Sequence, residues 1–524
     1  MENSEETIKK RKDKIKGWFK NPYNLTFFAI ILFAIAIRFY YFWLTKNQPI
    51  WWDESEYMSQ AKAIAGLLQY DTSSIRSPIF PAFMSIFFFL GITSEPIMRF
   101  LALFIPSVLV IVLTYFMIKE MYLDKRIALI STILVSVLWE HLFYSNRFHT
   151  ENFALIFQFL ALFILFRCYI KSKDFYFINH KYSLIWILLF SIVSMAFRPG
   201  NVMFIPALLL LVVLLNKDKL LTKSSLIIIG LLIVAIISAF IFTSIPQNFL
   251  STYTHFSDPI GWNSFNVFYG FYESPISYIP SLLFYGFLIG LAMIFFRTVL
   301  VLDNIKTFKV DSENLEFKSD LFNLLLLFST LFVFVFIMRA NSFEYRWFFP
   351  LLPAMLAFTG KGIIEFSEYI GSFIKSKYFV SALIILIVIL GAYSQMIHAD
   401  QIIKFKVDSY SQVRDAALWI KDNYPKNTQV LSISYPQTVY YSERNVSTYS
   451  SIKNSSEFNN YLASNKPAIL EVSIFESHPE WLNSWINDNK DKLTPINAYF
   501  ADKEQTQPVL VLYRLGYNNT SSSA

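Results

Sequence analysis

The sequence is poor in charge and in cysteine, and both shortages exclude classes of protein. Only 16% of its 524 residues are charged, whereas soluble globular chains carry about 25%. Hydrophobic residues make up 55% of the chain and the mean hydropathy is +0.43, so the surface cannot all face water. The single cysteine, Cys168, excludes an intramolecular disulfide, a cysteine metal cluster and a CxxC redox site.

Long apolar runs recur along most of the chain. A helix needs about 20 apolar residues to cross the hydrocarbon core of a membrane. The pattern therefore predicts an all-α polytopic membrane protein with about 11 to 13 transmembrane helices. The predicted spans are residues 25–44, 97–118, 126–144, 152–169, 183–197, 202–215, 226–242, 279–296, 321–338, 347–362 and 379–396.

Clusters of Lys and Arg predict which loops face the cytoplasm, because cytoplasmic loops carry an excess of these residues. Residues 1–24 are basic, and a basic loop follows every second span. The alternation places the N-terminus inside and the C-terminus outside the cell. One more apolar run, residues 79–90, would reach only about 18 Å as a helix. We place it, with the rest of residues 53–91, on surface helices at the outer membrane interface.

The chain divides into a membrane module at residues 25–399 and a polar C-terminal part. Residues 400–517 are predicted to form a small soluble α/β domain on the outer side. Ser411 is a candidate cap for a helix over residues 413–422. Strands are predicted at residues 430–434, 468–474 and 509–513. Residues 518–524 are expected to be disordered.

Carboxylates concentrate in the predicted outer loops. Asp53, Glu54 and Glu56 follow two tryptophans, and Glu151 stands at the start of a span. A helix dipole stabilises negative charge at such positions, so capping alone accounts for Glu56 and Glu151 as well as a functional role does. Asp53 is the strongest functional candidate, since an anion at membrane depth is costly without a partner or a task.

Outer arginines oppose the general charge distribution. Arg76, Arg198, Arg339 and Arg346 lie outside on the predicted topology. Snorkelling or local pairing, for example of Glu344 with Arg346, is one explanation. The other is a phosphate site, because the planar guanidinium binds phosphate oxygens in two places. The long outer loop at residues 244–278, which contains His255, is expected to act as a lid or acceptor wall.

The order of these features resembles the membrane glycosyltransferases of the GT-C fold, in the branch of protein O-mannosyltransferases and aminoarabinose transferases. The resemblance covers nearly the whole chain. Two departures are an arginine where relatives have lysine and a single proline turn where they have a pair. The matching features are Asp53 and Glu54 with Tyr57, the proline turn at residues 77–81, Arg99, Thr150 with Glu151, Arg198 before Pro-Gly, and Glu344 with Arg346.

The resemblance implies transfer of a sugar from a polyprenyl-phosphate donor to an extracytoplasmic acceptor, by direct displacement with inversion, at a prokaryotic plasma membrane. Asp53 is then the expected base, and Glu54 or Glu151 would orient sugar or acceptor hydroxyls. A metal-independent enzyme is expected; the alternative is Mg²⁺ or Mn²⁺ held by Asp53 and Glu151. The other expected roles are donor-phosphate binding by Arg76, Arg198, Arg339 and Arg346, and acceptor or lid contacts by Tyr57, His149, His255 and Tyr345.

Two other functions compete with this interpretation. A transporter or lipid flippase would carry ionisable residues near the membrane midplane and paired halves, and the sequence has no visible internal repeat. A ligase for diphosphate-linked oligosaccharides would carry several arginines in its large outer loop, whereas residues 244–278 contain no Lys or Arg. Membrane lipids are expected partners, and nucleic acid is not.

Overall fold

The computed structural model describes residues 16–70, 76–217, 281–338, 344–502 and 504–516. Helices dominate up to residue 406, and a small sheet domain follows. The helices of the first part are α1 (Pro22–Thr45), α2 (Trp52–Ile64), α3 (Ile79–Phe89), α4 (Glu95–Met121), α5 (Lys125–Val137), α6 (Trp139–Tyr144), α7 (Glu151–Ile170), α8 (Ser183–Phe197), α9 (Ile205–Leu215), α10 (Ser281–Leu300), α11 (Leu315–Phe332), α12 (Leu352–Ile374) and α13 (Lys377–Lys406).

Eight of the described helices are long and apolar enough to cross a membrane, and each coincides with a predicted span. The chain is therefore a multi-pass membrane protein. The predicted surface segment forms two short helices, α2 and α3. Two predicted spans differ: residues 126–144 are broken into α5 and α6, and residues 202–215 form only the short helix α9 after a 3₁₀ turn at Pro199–Phe204. A further predicted span, residues 226–242, lies outside the described residues, as does the predicted tail at residues 518–524.

The break between α5 and α6 is stabilised from other helices. The guanidinium of Arg38, on α1, donates to the carbonyls of Ser136 (2.7 Å) and Val135 (3.2 Å), which are left free where α5 ends. A cation at a helix C-terminus is also favoured by the helix dipole. On the other side of the break, the side chain of Gln395 accepts from the backbone N–H of Trp139 at 2.9 Å. Arg38 is thus paired with a neighbouring helix.

Arg38 also determines the proton position on a buried histidine. Its guanidinium contacts His141 Nδ1 at 2.7 Å, and His141 Nε2 lies 3.0 Å from Asn152 Oδ1. Arginine only donates, so Nδ1 must accept and Nε2 must carry the proton. The chain Arg38–His141–Asn152 links α1 and α6 to the first turn of α7, one residue from Glu151.

Helices α10 and α12 cross at close range because glycines face each other. A Cβ atom on Gly290 or Gly362 would overlap the backbone of the opposite helix. Small residues commonly permit such approach between membrane helices. This contact fixes α12, whose preceding 3₁₀ turn, Tyr345–Leu351, carries Arg346.

The C-terminal part is an α/β domain with a mixed five-stranded sheet, in the order β2-β1-β3-β5-β4. Strands β1 and β2 and strands β1 and β3 are parallel, while β5 is antiparallel to β3 and β4. The three predicted strands are confirmed as β1, β3 and β5. The elements are β1 (Gln429–Leu431), β2 (Asn445–Ser447), β3 (Ile469–Ser473), β4 (Leu493–Phe500), β5 (Pro508–Leu515), α14 (Ser411–Asn423), α15 (Tyr435–Ser442), α16 (Ser455–Asn465) and α17 (Trp481–Asp488).

The prediction that Ser411 caps the first helix of this domain was wrong. The helix α14 begins at Ser411 itself, and the preceding residue, Tyr410, has a left-handed φ of 65° without a side-chain cap. The Ser411 hydroxyl is hydrogen-bonded to the side chain of Gln412 instead. Because Tyr410 occupies the N-cap position, Ser411 is already inside the helix, where its side chain is not placed to bond the N–H groups of the first turn.

The domain docks on α2. Lys62 donates to Glu443 Oε1 at 2.8 Å and to the carbonyl of Tyr440 at 3.0 Å. The indole N–H of Trp52 contacts Glu476 Oε1 at 2.9 Å and the hydroxyl of Tyr410 at 3.2 Å. These contacts place the soluble domain directly above the helix that carries Asp53.

The role of Arg38 is testable by Arg38→Met. The substitution leaves the carbonyls of Ser136 and Val135 and the ring of His141 without their donor, and each buried polar group without a partner costs about 1–3 kcal/mol. We expect a clearly lower melting temperature in detergent. The control is Arg297→Met, because Arg297 is half-exposed and pairs only with Glu365 in the described structure. Equal melting temperatures for the two variants would contradict the capping role.

Candidate active site

Five segments that are distant in sequence meet around one cavity of about 100 Å³. Each contributes a helix end or a turn, where the chain can present polar groups without breaking a membrane helix. The lining residues are Asp53, Tyr57, Arg76, Ser77, Thr150, Glu151, Arg198, Pro199, Gly200, Met203, Arg346, Trp347 and Pro350.

Local sequence explains how the charged groups reach the cavity. Asp53 and Glu151 stand in the first turns of α2 and α7, where the helix dipoles stabilise negative charge. Arg198 has an extended conformation, because Pro199 cannot continue α8 and starts a 3₁₀ turn instead. Arg346 lies in the 3₁₀ turn before α12.

Asp53 is clamped by two arginines. Its Oδ1 accepts from Arg76 Nη2 at 2.6 Å, and its Oδ2 accepts from Arg346 Nη2 at 2.8 Å. Burial alone would raise the pKa of Asp53, but the two guanidinium groups outweigh it and hold that pKa well below the usual range. Asp53 is therefore ionised at neutral pH.

Arg346 connects Asp53 to the second carboxylate. Its Nη1 lies 3.6 Å from Glu151 Oε1 and 3.2 Å from His149 Nδ1, and its Nε is paired with Glu344. Because arginine only donates, His149 Nδ1 is the acceptor and Nε2 carries the proton. Burial lowers the pKa of His149 to about 4, so the ring is neutral at neutral pH.

Glu151 and Arg198 have unused hydrogen-bonding capacity. Arg198 Nη1 lies 3.7 Å from Glu151 Oε1, too far for a hydrogen bond. Arg198 Nη1 and Glu151 Oε2 are buried atoms with no hydrogen-bond partner in the described part of the chain. Both residues line the cavity, so a ligand hydroxyl or phosphate oxygen there would satisfy them.

Glu54 does not line the cavity, although it was predicted with the catalytic carboxylates. It is 1% exposed, and it accepts from Arg147 Nη2 at 2.6 Å and from the N–H groups of Trp51 and Phe148 at 2.9 and 2.8 Å. Burial opposes its ionisation, but Arg147 and Arg99 lower the pKa of Glu54 below the ordinary value. These contacts make Glu54 a structural residue that fixes the first turn of α2.

The remaining predicted residues divide between the cavity and its surroundings. Tyr57 lines the cavity, and the guanidinium carbon of Arg76 lies 5.5 Å from the centre of the Tyr57 ring. Burial raises the pKa of Tyr57 to about 12. Tyr345 packs its ring against Trp139 at 5.6 Å and is not among the lining residues. Arg339 and His255 lie outside the described residues.

Sequence reasoning missed part of the wall and one charged partner. Met203 and Trp347 line the cavity and were not singled out, whereas Ser77, Pro199 and Gly200, which also line it, belong to motifs that the sequence did single out. Glu56, which the sequence left equally explained as a helix cap, is paired with Arg76. Its spacing of three residues from Asp53 placed both carboxylates on one helix face and was the available signal.

No group of three or more His, Cys, Asp or Glu side chains suited to a metal ion occurs within the described ranges. Asp53 and Glu151, the pair that the sequence offered for Mg²⁺ or Mn²⁺, both face Arg346. A divalent cation between them would lie beside that guanidinium and be repelled by it.

The sequence matches no protein-family model and no curated protein. Its structure does resemble solved structures. ArnT from Cupriavidus metallidurans in the apo state matches with a TM-score of 0.57 at 11% identity, over 96% of this chain and 98% of that chain. The oligosaccharyltransferase AglB from Archaeoglobus fulgidus, in complex with an inhibitory peptide and a dolichol-phosphate, matches with a TM-score of 0.56 at 14% identity, over 87% and 70% of the two chains. The chain thus has the GT-C fold of membrane glycosyltransferases, as the sequence resemblance implied.

Proposed function

We propose that the protein is a glycosyltransferase that moves a sugar from a polyprenyl-phosphate donor to an acceptor hydroxyl on the outer side of the plasma membrane. The observation that carries this proposal is the pairing of Asp53 with Arg76 and Arg346 in a cavity formed by helix ends. A carboxylate and several fixed cations are what displacement of a lipid phosphate by a hydroxyl requires.

The proposed reaction is a single displacement. The acceptor oxygen forms a bond to the anomeric carbon as the bond from that carbon to the phosphate oxygen breaks. Asp53 takes the acceptor proton, and polyprenyl phosphate leaves with the bond electrons. A positioned base contributes typically about 10²–10⁴-fold. Asp53 is the one base assigned in this proposal and no nucleophile is assigned, which favours inversion at the anomeric carbon by analogy with inverting hydrolases.

The arginines stabilise the leaving group. Negative charge grows on the phosphate as its bond to the sugar breaks, and guanidinium groups already fixed in place stabilise that charge without reorganisation. Arg76, Arg198 and Arg346 line the cavity and take this role in the proposal; Arg339 remains a prediction from sequence.

Glu151 is proposed to orient the donor sugar. Its unpartnered Oε2 accepts a sugar hydroxyl, while Arg198 Nη1 is available to donate to a neighbouring oxygen. Tyr57 and the neutral His149 are the proposed acceptor-side contacts, with Tyr345 further out. Glu54 is left out of the chemistry, because its oxygens are already bonded to protein groups.

Two similar solved structures contain a lipid phosphate, which supports a lipid-phosphate donor. The AglB structure is a complex with a dolichol-phosphate. ArnT is described bound to undecaprenyl phosphate, and that structure matches with a TM-score of 0.52 at 11% identity, over 93% of this chain and 97% of the other. We extend this ligand class to the present cavity because its lining carries three arginines.

The base assignment predicts that Asp53→Asn abolishes transfer. The protein would be reconstituted in liposomes with a radiolabelled polyprenyl-phosphate sugar and a membrane extract as acceptor source. We expect a loss of roughly 10²-fold or more, since the amide cannot take the acceptor proton. The labelled product identifies the acceptor class.

The control for this experiment is Asp415→Asn, since Asp415 lies on α14 of the soluble domain and pairs with Arg414. A folded Asp53→Asn variant with the wild-type rate would remove Asp53 from the base role. If the protein moved the lipid across the bilayer with its sugar-phosphate bond intact, the proposed enzyme function would be wrong and the transporter function would take its place.

The clamp formed by Arg76 and Arg346 on Asp53 predicts different pH dependences for kcat and for kcat/KM. In the free enzyme the arginines keep Asp53 ionised, so kcat/KM for the donor should stay level down through the pH where a free aspartate titrates, about 4. Donor phosphate draws the arginines away from Asp53, which raises the pKa of Asp53 in the complex. The acid limb of kcat should therefore lie at higher pH than that of kcat/KM. Coinciding limbs would show that the donor leaves the clamp intact.

The metal-independent mechanism predicts that EDTA changes the transfer rate less than about twofold, a difference of about 0.4 kcal/mol in the activation barrier. Addition of Mg²⁺ or Mn²⁺ to the EDTA-treated protein should give no increase. A loss of activity that either ion restores, together with loss of ion binding in Glu151→Gln, would establish the alternative site between Asp53 and Glu151.

A further inference from the structure

Glu56 is a carboxylate that the proposed chemistry does not use; it is paired with the cavity-lining Arg76 but is not itself among the lining residues. It lies one turn after Asp53 on α2, and Arg76 bridges the two: Nη2 contacts Asp53 at 2.6 Å, and Nε is hydrogen-bonded to Glu56 Oε2. Both carboxylate side chains are 21% exposed. Arg76 Nη1 takes part in neither of these two contacts.

The charges around the cavity are unusual for a phosphate site. Among the described residues, three arginines face four carboxylates, and with His149 neutral these groups sum to −1. The arginines are Arg76, Arg198 and Arg346, and the carboxylates are Asp53, Glu56, Glu151 and Glu344. Each of these carboxylates weakens the binding of an anion to the arginine that it faces.

The proposed donor and product differ in charge. A polyprenyl-phosphate sugar is a phosphodiester with one negative charge, whereas the product, polyprenyl phosphate, is a monoester with a charge of about −1.5 to −2 at pH 7. A site built from arginines alone would therefore hold the product more tightly than the donor. A fixed negative charge beside those arginines opposes the product more strongly than the donor.

We propose that Glu56 is a counter-charge that lowers the affinity of the site for the product phosphate and so favours product release. This inference rests on the proposed function. Glu344 is a weaker candidate for the same role, because its side chain is 50% exposed and solvent screens its charge. Asp53 and Glu151 already have roles in the reaction.

Glu56→Gln separates charge from geometry. The amide oxygen of glutamine still accepts from Arg76 Nε, so the arginine keeps its position while one negative charge is lost. We expect the variant to bind undecaprenyl phosphate about two- to tenfold more tightly than wild type. Binding of the methyl diester of undecaprenyl phosphate, which has a single charge, should improve by a smaller factor. Inhibition of transfer by added undecaprenyl phosphate should become stronger by the same factor as its binding.

Glu120→Gln is the matched control. Glu120 is 14% exposed and also binds two cations, Arg167 and Lys171, each at 2.8 Å. It lies near the opposite end of α4 from Arg99, about 30 Å away along the helix. The variant should leave both affinities unchanged. Glu56→Asp, which retains the charge, should bind the monoester as wild type does.

The outcomes separate this inference from the proposed function. Wild-type protein that binds undecaprenyl phosphate no better than undecaprenol would overturn both. Wild-type protein that prefers the phosphate, with a folded Glu56→Gln variant of equal or weaker affinity, would overturn the counter-charge role alone. Equal improvement for monoester and diester would also overturn it, because the discrimination between product and donor would be missing. If the Glu56→Gln variant is unstable, Glu56→Ala can replace it, and its affinity for undecaprenyl phosphate should also rise.

Discussion

The ion pairs of Asp53 with Arg76 and Arg346 hold together parts of the chain that are nearly 300 residues apart. Moving a carboxylate out of water costs several kcal/mol unless charged partners and hydrogen bonds compensate for it. Asp53 obtains two partners from two different segments, and Arg346 extends the network to Glu151 and His149. The network therefore fixes the ends of α2, α7 and the turn before α12 around one cavity. The same interaction keeps the base ionised and the cations positioned before any ligand arrives.

The adjacent carboxylates of Asp53 and Glu54 on α2 point in different directions, because a helix turns by about 100° per residue. They therefore have different roles. Asp53 faces the cavity, where a fifth of its side chain is exposed. Glu54 faces inward, where Arg147 and two backbone N–H groups use its oxygens. Arg147 in turn stacks on Trp51, with its guanidinium carbon 3.2 Å from a ring centre. The anchor at Glu54 holds the first turn of α2 rigidly, and this rigidity allows Asp53 to be a defined base and not a mobile surface charge.

The features that the sequence predicted well are those that follow from the cost of charge in a membrane. Asp53, Arg76, Glu151, Arg198 and Arg346 are all ionisable residues in the predicted outer surface segment or at the outer ends of predicted spans, and the structure brings them together. Glu54 could not be separated from Asp53 in this way, because its partners come from residues 99 and 147 of other segments.

The helix break after α5 was missed for a related reason. The break lies at Leu138, in a stretch with neither Gly nor Pro, and it is stabilised by Arg38 and Gln395 from other helices. In the C-terminal domain the two missed strands, β2 and β4, lie at the two edges of the sheet. Strand β4 carries Pro495, which weakens a strand signal. Features that local composition decides were predictable, and features decided by contacts between distant segments were not.

The soluble domain belongs to the site through its contacts with α2. Trp52, which precedes Asp53, is hydrogen-bonded to Glu476 on the loop after β3 and to Tyr410 at the start of α14. At the other end of the helix, Lys62 is bound by Glu443. The membrane module holds α2 from below through Glu54, and the soluble domain holds it from above through Trp52 and Lys62. Because small displacements of a base are costly to catalysis, a domain that fixes both ends of α2 contributes to the proposed chemistry without placing a side chain in the cavity.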